Sequence, residues 1–279
     1  MVLSTAASRI RHVHAREVFD SRGKPTVEVE ITCAGGRTAS AIVPSGASTG
    51  QFEACELRDC DPQRLEGQGV LGAVRNVTEI IAPAVIGMDA ADQGAVDQRL
   101  CELDGTPNKS RLGANALLGV SLATAHAAAA ARELSLVEHL HELWTSNSIG
   151  GPPSVQASSG RQPADNPAMQ VRLPSELGRR LLLPLPMVNM ISGGLHAGRN
   201  LDLQDFLILP VGAMSYREAL DWVVTVYRQL GRLLTARGLE GVLVGDEGGY
   251  GPRLAGNEQA LELLTDAIAA AGRTPGCDV

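Results

Sequence analysis

Apolar and polar residues alternate without a break from Val27 to Cys33. Val27, Val29, Ile31 and Cys33 fall on one side, and Glu28, Glu30 and Thr32 on the other. A period of two belongs to a strand with one face buried. The turn-like run Asp20-Ser21-Arg22-Gly23 lies just ahead of it and predicts a hairpin with residues 9–18. Residues 37–43 are a third short strand. The spacing then becomes helical over about 51–59, 69–82, 92–103 and 112–143, with Asn108 and Ser110 offering caps before the last segment.

Residues 145–180 change in kind. They are rich in Pro, Gly, Ser, Gln and Asn and carry little apolar periodicity, which reads as a flexible linker or surface insertion. Beyond them two dense apolar runs, Leu181 to Met190 and Leu203 to Leu209, read as strands. Ser215 with Glu218 is a capping-box signature. It opens an amphipathic helix through Leu220, Val223, Val224, Tyr227, Leu230 and Leu234 that closes near Gly238. Val242 to Val244 is a short strand, and Asn257 caps a final helix ending near Gly272. The expected organisation is an α+β domain over 1–144, a linker or surface insertion over 145–180, and a strand, strand, helix, strand, helix region over 181–279, as in a barrel or other α/β fold begun but not closed.

Composition narrows the class. Of the 279 residues, 44% are apolar and 20% charged, which is ordinary for a globular chain. The net charge of −7 argues against nonspecific nucleic-acid or anionic-membrane partners. An anionic small molecule stays open, because bound divalent cations can reverse the potential inside one pocket. Five cysteines without a CxxC or a paired Cys/His spacing predict free thiols in a reducing, cytoplasmic setting. Residues 1–11 lack the apolar run of a signal peptide. Residues 112–131 carry no Asp, Glu, Lys or Arg, but are mostly Ala, Gly, Ser, Thr and Asn, and so predict a packed helix rather than a membrane span.

Three glycine-rich motifs compete for chemistry. Gly67-Gln-Gly69-Val-Leu-Gly72 is a formal GxGxxG, but the polar, Pro62-broken stretch before it is no buried strand, so it predicts a loop entering a helix. Gly46-Ala-Ser48-Thr-Gly50 is a formal GxSxG that could expose Ser48 as a hydrolase nucleophile or form a ligand-covering loop. Gly245-Asp246-Glu247-Gly248-Gly249 places two acids where a strand ends, the position at which barrel enzymes gather catalytic groups. A partly desolvated carboxyl there could serve as a general acid. Asp205 lies in the apolar run 203–209, where a carboxylate needs a partner, a metal or a solvated strand end. His196, among glycines between two strands, is better placed for a ligand than His139 and His141, which are expected to face solvent from a helix.

Taken together these segments resemble enolase. The strings that carry the resemblance are Ala15-Arg-Glu-Val-Phe-Asp-Ser-Arg-Gly-Lys-Pro-Thr-Val-Glu-Val-Glu30, Val43-Pro-Ser-Gly-Ala-Ser-Thr-Gly50, Leu103-Asp-Gly-Thr-Pro-Asn-Lys-Ser-Arg-Leu-Gly-Ala-Asn115, the His196 loop and Gly245-Asp-Glu-Gly-Gly249. They run in family order and cover nearly the whole chain except 145–180. The resemblance implies an α+β N-terminal domain followed by an incomplete α/β barrel of the enolase TIM type. It implies a magnesium-dependent lyase of glycolysis, interconverting 2-phosphoglycerate and phosphoenolpyruvate, and a homodimer. By position, Glu247 matches the general acid, His196 and Gln204 match substrate contacts, and Ser48 matches a loop serine that binds a second magnesium. Asp205 stands where the family has Glu, which retracts the carboxylate by roughly 1.5 Å. The family's first-magnesium carboxylates and its lysine base fall beyond the last helix seen here, so the chain is expected to be truncated. A noncatalytic enolase-like binding protein shares every motif and is the first alternative; a serine hydrolase using Ser48 is the second.

Overall fold

A computed structural model of the chain describes residues 6–46, 50–146, 183–199, 201–245 and 247–279, without the side chains of Leu195 and His196. The chain divides into two compact units, Met1–Arg179 and Arg180–Val279. The predicted linker falls almost wholly outside the described residues, which stop at Ser146 and resume at Leu183.

In the first unit, β1 (Ile10–Phe19), β2 (Pro25–Cys33) and β3 (Thr38–Ile42) form an antiparallel sheet in that order. The alternation is borne out. Val27, Val29, Ile31 and Cys33 are fully buried, and Glu28, Glu30 and Thr32 are half-buried on the opposite face. The hairpin turn is closed by Asp20, whose carboxylate accepts the backbone N–H groups of Arg22 and Lys24, both at 2.8 Å. The buried face packs on α4 (Ala114–Ala131). A Cβ at Gly119 would stand 2.7 Å from Val29 Cγ2, so the absent side chain lets this helix lie close on the sheet. The charge-free stretch is thus a core helix. By length and composition it could span a membrane, but its apolar residues are spent against β2 and β3.

Two helical expectations need correction. Residues 51–59 are not helical. Their backbone is satisfied by distant partners: Cys55 N–H donates to Asn108 O, Ala114 N–H to Cys55 O, and the Asn115 amide bonds both N–H and C=O of Leu57. The 112–143 segment is two helices, because Glu133 takes a left-handed φ of 57° and Ser135 with Glu138 forms a full capping box opening α5 (Leu136–Thr145). Neither Asn108 nor Ser110 caps α4, whose N-cap is Gly113. The solvent-facing assignment is also overturned for His139. His139 is fully buried and His141 half-buried; the His139 Nδ1 meets Arg132 at 3.1 Å. Burial, reinforced by the Arg132 guanidinium, pushes the His139 imidazole below its ordinary pKa.

The remaining helices follow the pattern more closely. The 69–82 segment is a run of α1 (Leu71–Arg75), a π-turn (Asn76–Ile81) and α2 (Ala82–Val85). The widened turn comes just ahead of Pro83, which has no N–H to give to the preceding turn. Asp92 caps α3 (Gln93–Asp104), accepting from Ala95 N–H.

The second unit holds β4 (Val188–Ser192) and β5 (Asp205–Ile208), paired antiparallel, then α6 (Tyr216–Ala236) and α7 (Asn257–Ala270). Its core joins Met190, Ile191, Phe206 and Ile208 of the strands to Val226, Leu230 and Leu234 of α6 and Leu263 of α7. β4 starts later than the apolar run suggests, because Pro184 and Pro186 cannot donate to a ladder. Ser215 caps α6 by accepting Glu218 N–H, whereas Glu218 reaches back to Met214 N–H rather than Ser215. The N-cap of α7 is Gly256, not Asn257. Val242 to Val244 do not form a strand. Only Val244 makes a bridge, to Tyr250, and all three side chains are exposed. Among the described residues no sheet closes, which fits the expected incomplete barrel.

Candidate functional site

The chemistry-bearing segments of the second unit meet at one end of the β4–β5 pair. Asp205 begins β5 opposite Ser192, the last residue of β4. A bulge between Asn189 and Ile191 adds one residue to β4. Asn189 and Ser192, three apart, would point to opposite faces of an unbroken strand. The bulge brings them to the same side. Asn189 Nδ2 then donates both to Ser192 Oγ, at 3.0 Å, and to Asp205 Oδ1, at 2.7 Å. The half-buried Asp205 therefore has an amide partner. Asn189 Oδ1 is buried and, among the described residues, accepts no hydrogen bond.

The 245–250 loop is tied to the same corner. Tyr250 N–H donates to Met190 O, and Ser192 N–H to Tyr250 O, each at 2.9 Å. A Cβ at Gly249 would fall 2.8 Å from both Asn189 Oδ1 and Ser192 Oγ, so only glycine lets the loop rest on that amide. Gly248 takes a φ of +82°, and its N–H closes back on Gly245 O. Glu247 stands exposed on this loop. The desolvation expected at a strand end is not supplied by the described residues.

The turn after β4 completes the corner. Gly193 N–H donates to Gln204 O at 2.6 Å, and Gly194 N–H to Leu201 O at 3.0 Å. The 3-10 turn Gly194–Ala197 carries the backbone of His196, and Ala197 Cβ would lie 3.5 Å from a Cβ at Gly251. Gln204 is exposed beside Gly194. The segments bearing His196, Gln204, Asp205 and Glu247 are thus neighbours, although the side chain of His196 lies outside the described residues. Ser48 does too, and with it both readings of the GxSxG loop. Sequence reasoning missed Asn189 and Ser192. The polarity of Asn189 inside an apolar run was a signal, but its meeting with Ser192 depends on the bulge.

Elsewhere the motifs close on themselves. The Asp59 carboxylate accepts Leu71 N–H at 2.9 Å and Gly72 N–H at 2.7 Å, filling the helix N-terminus that a nucleotide phosphate would need. A Cβ at Gly69 would sit 2.4 Å from Asp59 Oδ2, so the GxGxxG glycines make room for a carboxylate of the chain itself. All five cysteines are free. Among the described residues no three His, Cys, Asp or Glu side chains come together as a cation cage, so these residues do not by themselves fit a magnesium ion.

Residues 10–140 match the sequence model of the enolase N-terminal domain, and residues 180–279 that of the enolase C-terminal TIM barrel domain. The chain is 49% identical over 270 residues to the enolases of two Tropheryma whipplei strains, Twist and TW08/27. These alignments cover 97% of this chain and 55% of each relative, so the chain spans about half the length of the curated relatives it matches.

Proposed function

Starting from a chain that belongs to the enolase family, we propose that its second unit carries the leaving-group side of the reversible dehydration of 2-phosphoglycerate to phosphoenolpyruvate. The observation that supports this reading is the corner built by the Asn189 amide. One amide holds Asp205 and packs under the glycine loop of Glu247, while the turn of His196 and the backbone of Gln204 are bonded into the same place.

In this reading Glu247, on a loop open to an incoming ligand, gives its carboxyl proton to the C3 hydroxyl as the C3–O bond breaks and water leaves. Asp205, oriented by Asn189, accepts a hydrogen bond from that hydroxyl and then from the released water. Gln204 and His196 bind the substrate, whose phosphate and carboxylate make it the anionic small molecule that the net charge leaves open. Removal of the C2 proton is assigned to no residue of this chain. Magnesium, with Ser48 as a ligand, enters from the family resemblance alone, and no step here runs through it. A homodimer in a reducing cytoplasm belongs to the same reading, and five free thiols are compatible with it.

The test is phosphoenolpyruvate formation by the dialysed chain with added Mg²⁺, compared with Glu247→Gln. Loss of a positioned general acid should lower turnover by about 10²- to 10⁴-fold. An intact chain that binds 2-phosphoglycerate without turning it over would replace this reading with that of an enolase-like binding protein.

A further inference from the structure

The loop of Glu247 is gripped from one side of α6. Tyr227 donates its hydroxyl to the carbonyl oxygen of Gly248 at 2.9 Å, next to Glu247 in sequence. Its ring stacks on Tyr250, with centroids 4.4 Å apart and planes 17° from parallel. One helical turn further on, Gly231 leaves a slot for Tyr250: a Cβ there would fall 2.4 Å from the Tyr250 hydroxyl oxygen. Positions i and i+4 share a helix face, so both grips come from one stripe of α6. Tyr250 is in turn bonded to β4 on both sides of its peptide, through Met190 O and Ser192 N–H. Within the loop, Gly248 N–H also bonds Gly245 O at 3.0 Å and Gly245 N–H bonds Gly249 O at 2.7 Å.

We infer that Tyr227 is a positioning residue, setting the turn that presents Glu247 through its hydroxyl on Gly248 and its ring on Tyr250. A glycine turn with an exposed acid at its tip has many accessible backbone conformations. Fixing the Gly248 carbonyl from α6 selects one of them before substrate arrives, which lowers the cost of aligning the acid with the leaving group. Burial, with Tyr250 beside it, pushes the Tyr227 phenol above its ordinary pKa, which keeps it a neutral donor across the working pH range. The kinetic part of this inference rests on Glu247 being the acid; the conformational part does not.

The experiment measures amide hydrogen exchange at Gly245 and Gly248 in the full chain, alongside steady-state kinetics, for the wild type, Tyr227→Phe, Gly231→Ala and Tyr216→Phe. Tyr227→Phe keeps the stack and removes only the hydroxyl. It should speed exchange at Gly245 and Gly248 by about 5- to 10-fold while Leu230 in the core of α6 is unchanged. Gly231→Ala displaces Tyr250 and should loosen the same two amides while Tyr227 keeps its hydroxyl, whereas Tyr216→Phe, at the far end of α6, should change neither. The turnover number should fall in Tyr227→Phe by a factor similar to the exchange change, with KM moving less than about 2-fold. Wild-type exchange rates at Gly245 and Gly248 in Tyr227→Phe would overturn the inference. Faster exchange in a chain whose wild type has no turnover would uphold the clamp and locate the failure in the lyase reading.

Discussion

The two units use the same polar residue types to opposite ends. In the first unit Asp59 caps the Leu71 and Gly72 amides, Asp104 accepts from Thr106 and Leu112, and Asn115 satisfies both backbone groups of Leu57. Each side chain is consumed by a loop of its own unit. In the second unit Asn189 spends its amide nitrogen on Ser192 and Asp205 but leaves its oxygen buried without a bond among the described residues, while Gln204 and Glu247 stand exposed on loops rich in glycine. A carboxylate surrounded by backbone N–H groups is a structural part. One delivered on a glycine turn beside an amide-held neighbour is exposed to solvent. This contrast, more than any motif string, separates the Gly67–Gly72 pattern from the Gly245–Gly249 pattern.

The sharpest way to break the contrast is at Asp104. It is 2% exposed and accepts the Leu112 N–H at 2.8 Å, the Thr106 N–H at 3.0 Å and the Thr106 hydroxyl. Asp104→Ala leaves the buried Leu112 N–H without its acceptor and frees the 104–112 loop, which orders the start of α4. Hydrogen bonds to a buried charge carry about 1.5–3 kcal/mol each and are not additive, so a loss of about 3 kcal/mol is expected. Urea unfolding followed at the first unit measures it. A change below about 1 kcal/mol would show that the loop does not depend on its carboxylate.

Asn189→Ala probes the other side, with a smaller effect on stability and a larger one on chemistry. It removes the 2.7 Å bond to Asp205, but also a buried oxygen that has no partner among the described residues, so the two changes offset and the net stability cost should stay near or below about 1 kcal/mol. Turnover should fall by about 10-fold as Asp205 loses its orientation. A loss of several kcal/mol without a specific kinetic effect would make Asn189 a structural residue like Asn115 and erase the difference between the units.

Legibility divided along physical lines. The β1–β3 sheet could be read because its determinant, a period-two alternation ending at an Asp-Ser-Arg-Gly turn, is contained in about twenty residues of sequence. The capping role of Ser215 was local and legible for the same reason. The segment 51–59 was misread as helix because what holds it extended lies at Gly69, Asn108, Ala114 and Asn115, which no local window includes. The buried state of His139 followed from a break at Glu133, and the Ser135–Glu138 capping box was there to be read. At the candidate site, Glu247, Asp205, Gln204 and His196 were named from motif and resemblance, yet the amide linking two of their segments depends on a one-residue bulge. Val242 to Val244 had the composition of a strand but, among the described residues, no neighbour to pair with along their length.

The mildest test concerns the turn that the sequence marked first. The backbone N–H of Lys24 leads the groups that hold the Asp20 carboxyl down to about 2, with the Arg22 N–H, the Ser45 hydroxyl and the Arg22 guanidinium adding to it. The ordinary value in an unfolded chain is about 3.9. The folded state therefore binds its proton less readily than the unfolded one. The resulting stability is fully present above the unfolded value and is lost as pH falls through about 2. Glu17 and Glu138 are lowered as well, by Arg64 and Ser135 respectively, so the wild-type acid limb is a composite. The difference between wild type and Asp20→Asn isolates one group. Asn keeps an acceptor for the two amides but has no proton to gain. The two proteins should differ most near neutral pH and converge as the solution is acidified from about 4 towards 2. Curves that stay parallel through that window would mean that the Asp20 carboxylate contributes nothing through its charge, and that an uncharged acceptor would serve the β1–β2 turn equally well.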